Sequence, residues 1–344
     1  MRKLTHTLPL FIAGAIACGP SGPSAEHFRG KDIGGLSDEV LSVAVGPEGG
    51  LWIGTSNGIM RKKGGDSKTW WKSWRVTAAA PAGVNAGYFG VMLPTKAVHT
   101  GKMGMEARVY KLQDRTTNLR EIPLGEPLIG DRIDALHVDK KGNLWVAARD
   151  SGILLVEKGT EDLKAHIPFK ELGHERATSF AEAPDGTMFI GTFGAGVTVW
   201  KDGKVVTHYT PQNSKLRGNG VVRSLAYHPQ QGLYMATANK IGGAVVVAGA
   251  DLRTEGMGVS RLLGTDWQPI TAAQMGLKSN EVIKIAVSPQ GDVWFLTLEH
   301  GASVLRGGTQ WVYPPTAGRM AFDVTFFGDS AYLATGHGLS NISL

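Results

Sequence analysis

"GNLWVAARDSG", residues 142–152, is written again and again along the chain. Its relatives are "GGLWIGTSNG" (49–58), "GTMFIGTFGAG" (186–196), "GLYMATANKIGG" (232–243), "GDVWFLTLEHG" (291–301) and "SAYLATGHG" (330–338). Aligned on the aromatic, Trp52, Trp145, Phe189, Tyr234, Trp294 and Tyr332 lie 93, 44, 45, 60 and 38 residues apart. Three positions later stand Thr55, Ala148, Thr192, Thr237, Thr297 and Thr335. Each motif follows an apolar run such as "VLSVAV", "IDALHV" or "VIKIAV", across a turn such as "GPEGG", "DKKGN" or "SPQGD". Each unit therefore reads as strand, tight turn, strand, Gly-containing loop, third strand and a more variable fourth strand.

Four antiparallel strands recurring every ~40–50 residues are the period of a β-propeller blade. The gap of 93 residues holds two such periods, so a degenerate blade is expected inside it, with "GYFGVMLPTKAVHTGKMGMEARVYKL" (87–112) as its candidate. The expected fold is all-β, a seven-bladed propeller of four-stranded antiparallel blades. The repeated aromatic and Thr are expected to pack and hydrogen-bond between neighbouring blades. Closure can be read as well. "GLSNISL" (338–344) is a third strand, and "HFRGKDIGGLSDEVLSVAV" (27–45) parallels "DWQPITAAQMGLKSNEVIKIAV" (266–287), a fourth strand followed by the next blade's first. Residues near 26–33 should complete the last blade and remove its exposed edge.

The motif resembles the two-component-regulator propeller repeat, with a core of the form V-x-x-l-x-x-D-x-x-G-x-L-W-I-G-T-x-x-G-L. "GGLWIGTSNGI" follows it closely and the other repeats follow it in part. The resemblance implies a sensing role, because such propellers often form the extracytoplasmic half of sensor kinases. No transmembrane helix, kinase or DNA-binding region is expected after the propeller, so signalling would pass through another protein.

Composition fits a globular protein: 42% hydrophobic and 19% charged residues, with 47 glycines in 344 residues. The one cysteine, Cys18, allows neither an intramolecular disulfide nor a cysteine-built metal cage. It ends "MRKLTHTLPLFIAGAIAC" (1–18), where Arg2 and Lys3 precede an apolar stretch, Leu8 to Ala17, too short to span a bilayer. Ala15-Ile16-Ala17-Cys18 resembles the lipobox of bacterial lipoproteins, which implies an acylated mature N-terminus. An ordinary secretory signal with a chance cysteine is the alternative.

The expected organisation is a signal peptide at 1–17, a lipidated cysteine with a small-residue tether at 18–25, and one propeller domain at 26–344. Gly19 rather than Asp after the cysteine implies, by resemblance, the outer membrane of a Gram-negative envelope. Removing Arg2 and Lys3 takes the 36 basic residues to 34, against 30 acidic ones. That mild excess, together with export, argues against nucleic acid as a partner. A monomer is expected.

Loops leading into first strands and loops between second and third strands share one face of a propeller and converge on its central funnel. The first set supplies Asp131, Arg132, His174, Glu175, Arg176, Asn219, Asn280, Glu281 and Arg319. The second supplies Arg149, Asp150, Glu299, His300 and His337. Both charge signs and several histidines on separate blades point to a site for a small ligand or partner protein. Loops are also polar simply because they are wet.

No G-x-S-x-G, H-E-x-x-H or P-loop is present, so no catalytic residue and no cofactor is assigned. Propeller lyases and lactonases hold a metal in this funnel. Glu299, His300 and His337 could offer a divalent ion oxygen and nitrogen ligands under that alternative. An envelope assembly scaffold is a third reading. "RKKGGDSKTWWKSWR", Arg61 to Arg75, interleaves Trp70, Trp71 and Trp74 with basic groups. It reads as a third-to-fourth-strand connection, or as a contact for anionic lipid, lipopolysaccharide or glycan on the face opposite the funnel.

Two acyl chains hold a protein on a membrane where one binds only marginally. Cys18→Ser is therefore expected to abolish palmitate labelling and release the chain from the membrane fraction. Labelling and fractionation that match the wild type would contradict the lipobox reading.

Overall fold

The repeats and the gap between them fold into seven sheets in the computed structural model. It describes residues 24–344 apart from 30–31, 33–36, 46–49, 64–65, 71–74, 82–85, 97–102, 114–118, 126–127, 130, 174–175, 241–245, 248–249, 252–253, 271 and 273–277. Cys18, the leader and most of the tether lie outside the described residues. Blades 1, 3, 4 and 6 each run through four consecutive antiparallel strands, beginning at Val40, Ile133, Ala177 and Val282. First strands of successive blades lie side by side, and the first strand of blade 1 meets that of blade 7, which closes a ring.

The seventh blade closes as the sequence pattern predicts. Its first three strands are Ala321–Phe327, Ser330–Thr335 and Gly338–Ser343. Ala25–Phe28 is the fourth, antiparallel to the third with Ala25 opposite Ile342 and Phe28 opposite Leu339. The backbone N–H of Ser343 donates to the Ser24 carbonyl at 3.0 Å, so both ends of the described chain sit in one sheet.

The degenerate blade does fill the long gap, but it starts earlier than the candidate stretch. Its first strand is Arg75–Pro81, followed by Ala86–Lys96, Met103–Gln113 and Leu119–Glu121; Leu128–Ile129 continues the outer edge on Ala107 and Glu106. Arg75 therefore opens blade 2 rather than ending a basic loop. Most of that stretch is strand: Gly58–Lys63 pairs with Asp66–Trp70 as the third and fourth strands of blade 1. Trp71 and Trp74 lie outside the described residues.

Neighbouring blades meet through aromatic edges. Trp52 packs T-shaped on Phe89 with centroids 5.7 Å apart, Trp145 on Phe180 at 6.0 Å, and Trp294 on Phe326 at 5.7 Å. The repeated Thr behaves differently from the expectation. Thr55, Thr192, Thr297 and Thr335 donate to Gly58, Gly196, Gly301 and Gly338 carbonyls, all within their own blades. The hydroxyl staples the second-to-third-strand loop, because a buried tight turn must satisfy its own backbone groups.

The glycine before that Thr makes room for the next blade. A Cβ on Gly54 would stand 2.5 Å from Val76 Cγ1, and one on Gly191 would stand 2.7 Å from Val222 Cγ1. Ile133 fills the same slot against Gly90, at 2.7 Å.

Two insertions rise on one face. In blade 2, Met92 pairs with Arg75, so Leu93–Lys96 and Met103–Glu106 continue beyond the first strand. In blade 5, the hairpin Val246–Val247 with Ala250–Asp251 is inserted between second and third strands.

Removing residues through Arg29 exposes the outer edge of blade 7, while removing them through Pro23 leaves its pairing intact. The longer truncation is expected to melt at a markedly lower temperature or to aggregate, and the shorter one to melt like the mature chain. Equal melting temperatures would contradict closure by Ala25–Phe28.

Candidate functional site

Every first strand carries an irregularity at the same place. Pairing with the second strand shifts by one residue at Leu41, Thr77, Asp134, Thr178, Arg223, Ile283 and Phe322. A bulge leaves one residue unpaired and re-aims its side chain. All seven of these residues line one central cavity of about 230 Å³. The preceding residue, Val40, Val76, Ile133, Ala177, Val222, Val282 or Ala321, is fully buried between blades. Packing and channel chemistry thus occupy adjacent positions on the same strand.

The two loop sets do share a face. Backbone N–H groups of Ser56, Arg149, Phe193, Leu298 and Gly336 donate to carbonyls of Glu39, Arg132, Arg176, Glu281 and Met320, at 2.8–3.3 Å. These acceptors stand immediately before each first strand. The corresponding position is Arg75 in blade 2, so blades 2, 3 and 4 place Arg75, Arg132 and Arg176 in succession around the mouth.

Asp134, on the bulge of the middle blade, organises this basic arc. Its carboxylate accepts hydrogen bonds from Arg149 Nη2 at 3.1 Å and from Arg176 Nε, and it forms an ion pair with Arg132, whose Nε stands 3.1 Å away. Its side chain is only 5% exposed, and those of Arg132 and Arg176 are 11% exposed. Three guanidiniums share one carboxylate. Burial lowers the Arg132 pKa to about 10; Asp134 opposes the shift, while the positive charges of Arg149, Arg176 and Arg75 add to it.

Next round the ring, Arg223 donates through Nη1 to Glu281 Oε2 at 2.8 Å and through Nη2 to the Thr254 carbonyl at 2.7 Å. Thr178 Oγ1 donates to the Val222 carbonyl at 2.6 Å. The bulge residues of the remaining sector are apolar: Leu41 and Phe322 are buried together, with Ile283, Leu298 and Met320 packed against them, beside the Lys284–Asp323 ion pair. The site is therefore divided: arginines stand at the start of the first strands of blades 2 to 4, while the bulge residues of blades 6, 7 and 1 are aliphatic or aromatic, with Glu281, Met320 and Glu39 before those strands.

The structure sorts the residues expected at the funnel. Arg132, Arg149 and Arg176 meet at Asp134, and Glu281 holds Arg223. Asp131 is buried and accepts from the Asp150 N–H at 2.9 Å and the Ser151 hydroxyl at 2.7 Å, so it shapes a loop. Burial, then the nearby Asp131 charge, raises the Asp150 pKa. Asn219 accepts from the Lys240 N–H, and Asn280 from the Ala272 N–H. Glu299 accepts from the Ser279 hydroxyl at 3.2 Å and stands 4.0 Å from His300. Arg319 and His337 are exposed on blade 7. His174 and Glu175 lie outside the described residues. Among the described residues, no three His, Cys, Asp or Glu side chains are grouped to hold a metal.

Asp134, Arg75 and Arg223 are absent from the loop-based set, although they define the channel wall. The signal that could find most of this wall is the second residue of each apolar run: Leu, Asp, Thr, Arg, Ile and Phe in "VLS", "IDA", "ATS", "VRS", "VIK" and "AFD". It varies in charge while the first residue stays aliphatic.

No protein-family profile matches the chain, and no curated protein matches it in sequence. In fold it is similar to the extracellular domain assigned to a hybrid two-component system of B. thetaiotaomicron, with a TM-score of 0.68 and 17% identity. That match covers 93% of this chain and 41% of the other. The extracellular domain assigned to a one-component system of the same organism gives a TM-score of 0.66 at 15% identity, covering 93% and 40%. The chain thus spans about two fifths of these two extracellular domains. Virginiamycin B lyase from Staphylococcus aureus gives a TM-score of 0.65 at 11% identity, covering 94% of this chain and 99% of the lyase. At these identities the likeness is one of fold alone, a seven-bladed β-propeller.

Asp134→Asn would leave three arginines converging without their carboxylate. The expected loss of stability is about 3 kcal/mol, at the low end for a broken buried ion pair because Arg149 still reaches solvent. Sulfate should restore more stability to this variant than it adds to the wild type in urea unfolding. Wild-type stability, or equal sulfate responses, would contradict the central role of Asp134.

Proposed function

We propose that this chain is an exported, lipid-anchored propeller that binds a ligand or partner protein through its funnel face and serves sensing in the bacterial envelope. The observation that carries the reading is the divided ring at the bulge positions, beside a cavity bounded by charged, hydroxyl and apolar side chains from all seven blades. Convergent polar groups beside apolar walls are the usual make-up of a binding site. The insertions of blades 2 and 5 rise on the same face, which enlarges the surface offered to a partner.

Export and anchoring rest on the Ala15-Ile16-Ala17-Cys18 sequence, and the sensing role on the repeat resemblance together with the fold shared with extracellular domains assigned to two-component and one-component systems. The chain would hand its signal to another protein. The binding reading is preferred over metal-dependent lyase chemistry because the side chains that converge on the channel are mainly arginine, hydroxyl and apolar groups.

Crosslinked capture from envelopes tests the assignment of the funnel. One variant combines Arg75→Gln, Arg176→Gln and His300→Ala; a second combines Lys62→Gln, Lys63→Gln and Lys68→Gln. The funnel variant is expected to lose captured partner at least tenfold, about 1.4 kcal/mol, while the second changes mainly the salt dependence. The reverse ranking would move the active surface to the opposite face.

A further inference from the structure

Arg75 lines the cavity, is half-buried, and makes no ion pair with any described carboxylate. Its equivalents on the next two blades, Arg132 and Arg176, share Asp134 with Arg149. The lining cations are Arg75, Arg132, Arg176, Arg223 and Lys284, against Asp134 and Asp323. Lys284 and Asp323 answer each other at 3.1 Å, and Glu281, just before the first strand of blade 6, answers Arg223. Among the described lining groups, the surplus of positive charge therefore lies on the side of Arg75. Arg176 also lies over the Phe193 ring, 4.5 Å from its centroid, which holds that guanidinium in a fixed plane.

Across the channel stand Leu41, Ile283, Leu298 and Phe322. A bare inorganic anion would use the basic sector and leave this wall wet. A neutral apolar ligand would leave Arg75 without a counter-charge. The cavity of about 230 Å³ falls below the ~300–1,000 Å³ of drug-sized sites, so the occupant is small.

We infer that the channel mouth takes a small organic carboxylate with an apolar body, its oxygens on Arg75, Arg132 and Arg176 and its hydrocarbon on Leu41, Ile283 and Phe322. This rests on the funnel reading above and names the class of ligand for it. Planar guanidinium forks suit a carboxylate because both oxygens can be met at once.

Titration calorimetry on the mature chain can test the class with four probes: 3-phenylpropionate, octanoate, acetate and 3-phenylpropan-1-ol. At least one of the first two is expected to bind ten times more tightly than both acetate and the alcohol, and to weaken as salt is added. Arg75→Gln should weaken that probe at least tenfold while melting like the wild type. If that variant does not fold, the acid-against-alcohol comparison on the wild type decides alone. Equal binding of acid and alcohol, equal binding of acetate, or no binding of either long carboxylate at millimolar concentration would overturn the inference. If the carboxylates fail while envelope capture still depends on the funnel residues, the ligand class falls and the funnel reading stands. Carboxylate binding with capture indifferent to those residues would leave the ligand class standing and remove the partner surface from the funnel.

Discussion

Seven first strands must share one narrow axis, and that crowding governs everything around it. Neighbouring blades approach so closely that Val76, Ile133 and Val222 fill the space a side chain would need on Gly54, Gly90 and Gly191. Where the second strand has no glycine, Ala147, Ala236 or Ala334 stands fully buried in its place; Leu296 in blade 6 is the exception. Tight apolar packing of this kind fixes the height of each blade against the next. A bulge one residue further on then presents one side chain per blade to the channel at a common level. Because the buried aliphatic carries the packing, its neighbour is free to be Asp, Arg, Thr, Ile or Phe without disturbing the ring.

The same separation explains which parts of the molecule can be read from sequence. Aromatic spacing yields the blade count, and the parallel between 27–45 and 266–287 yields the closing strand to within a few residues. Both rest on repetition, which survives divergence of any one copy. The start of blade 2 escapes such a reading because "RVTAAAP" has neither the aromatic nor the bulky apolar run of its equivalents, and Arg75 looks like the end of a basic stretch. Asp134 and Arg223 are hidden differently. A regular strand alternates its side chains with period two, and such alternation assigns "IDALHV" and "VVRSLAYH" to a core with incidental charges. Only the bulge, a tertiary feature, aims those residues at the axis. The repeated Thr suggests an inter-blade bond because its repetition is visible and its partner, a glycine carbonyl in its own loop, is not.

The fold is shared with the extracellular domains assigned to a two-component and a one-component system and with a lyase, at 11–17% identity, so its presence does not select among their roles. Function on such a scaffold lies in the residues it displays. Here the display is uneven: three arginines at equivalent positions of successive blades, one buried aspartate holding two of them, and an apolar sector opposite. A protein that needed only a rigid ring would gain nothing from collecting guanidiniums in a site of low exposure, where desolvation costs stability. Their arrangement makes sense as preorganised positive charge, set in place before an anion arrives.

The most direct test is to ask an anion where it goes. Crystals of the mature chain soaked in bromide, with data collected at the bromine edge, report anion positions by anomalous scattering. The expected result is a peak inside the channel within contact distance of Arg75 and the Arg132–Arg176 pair, and none against Leu41 and Phe322. Bromide confined to lysines on the outer surface, with the channel wall bare, would contradict preorganised anion binding at the mouth.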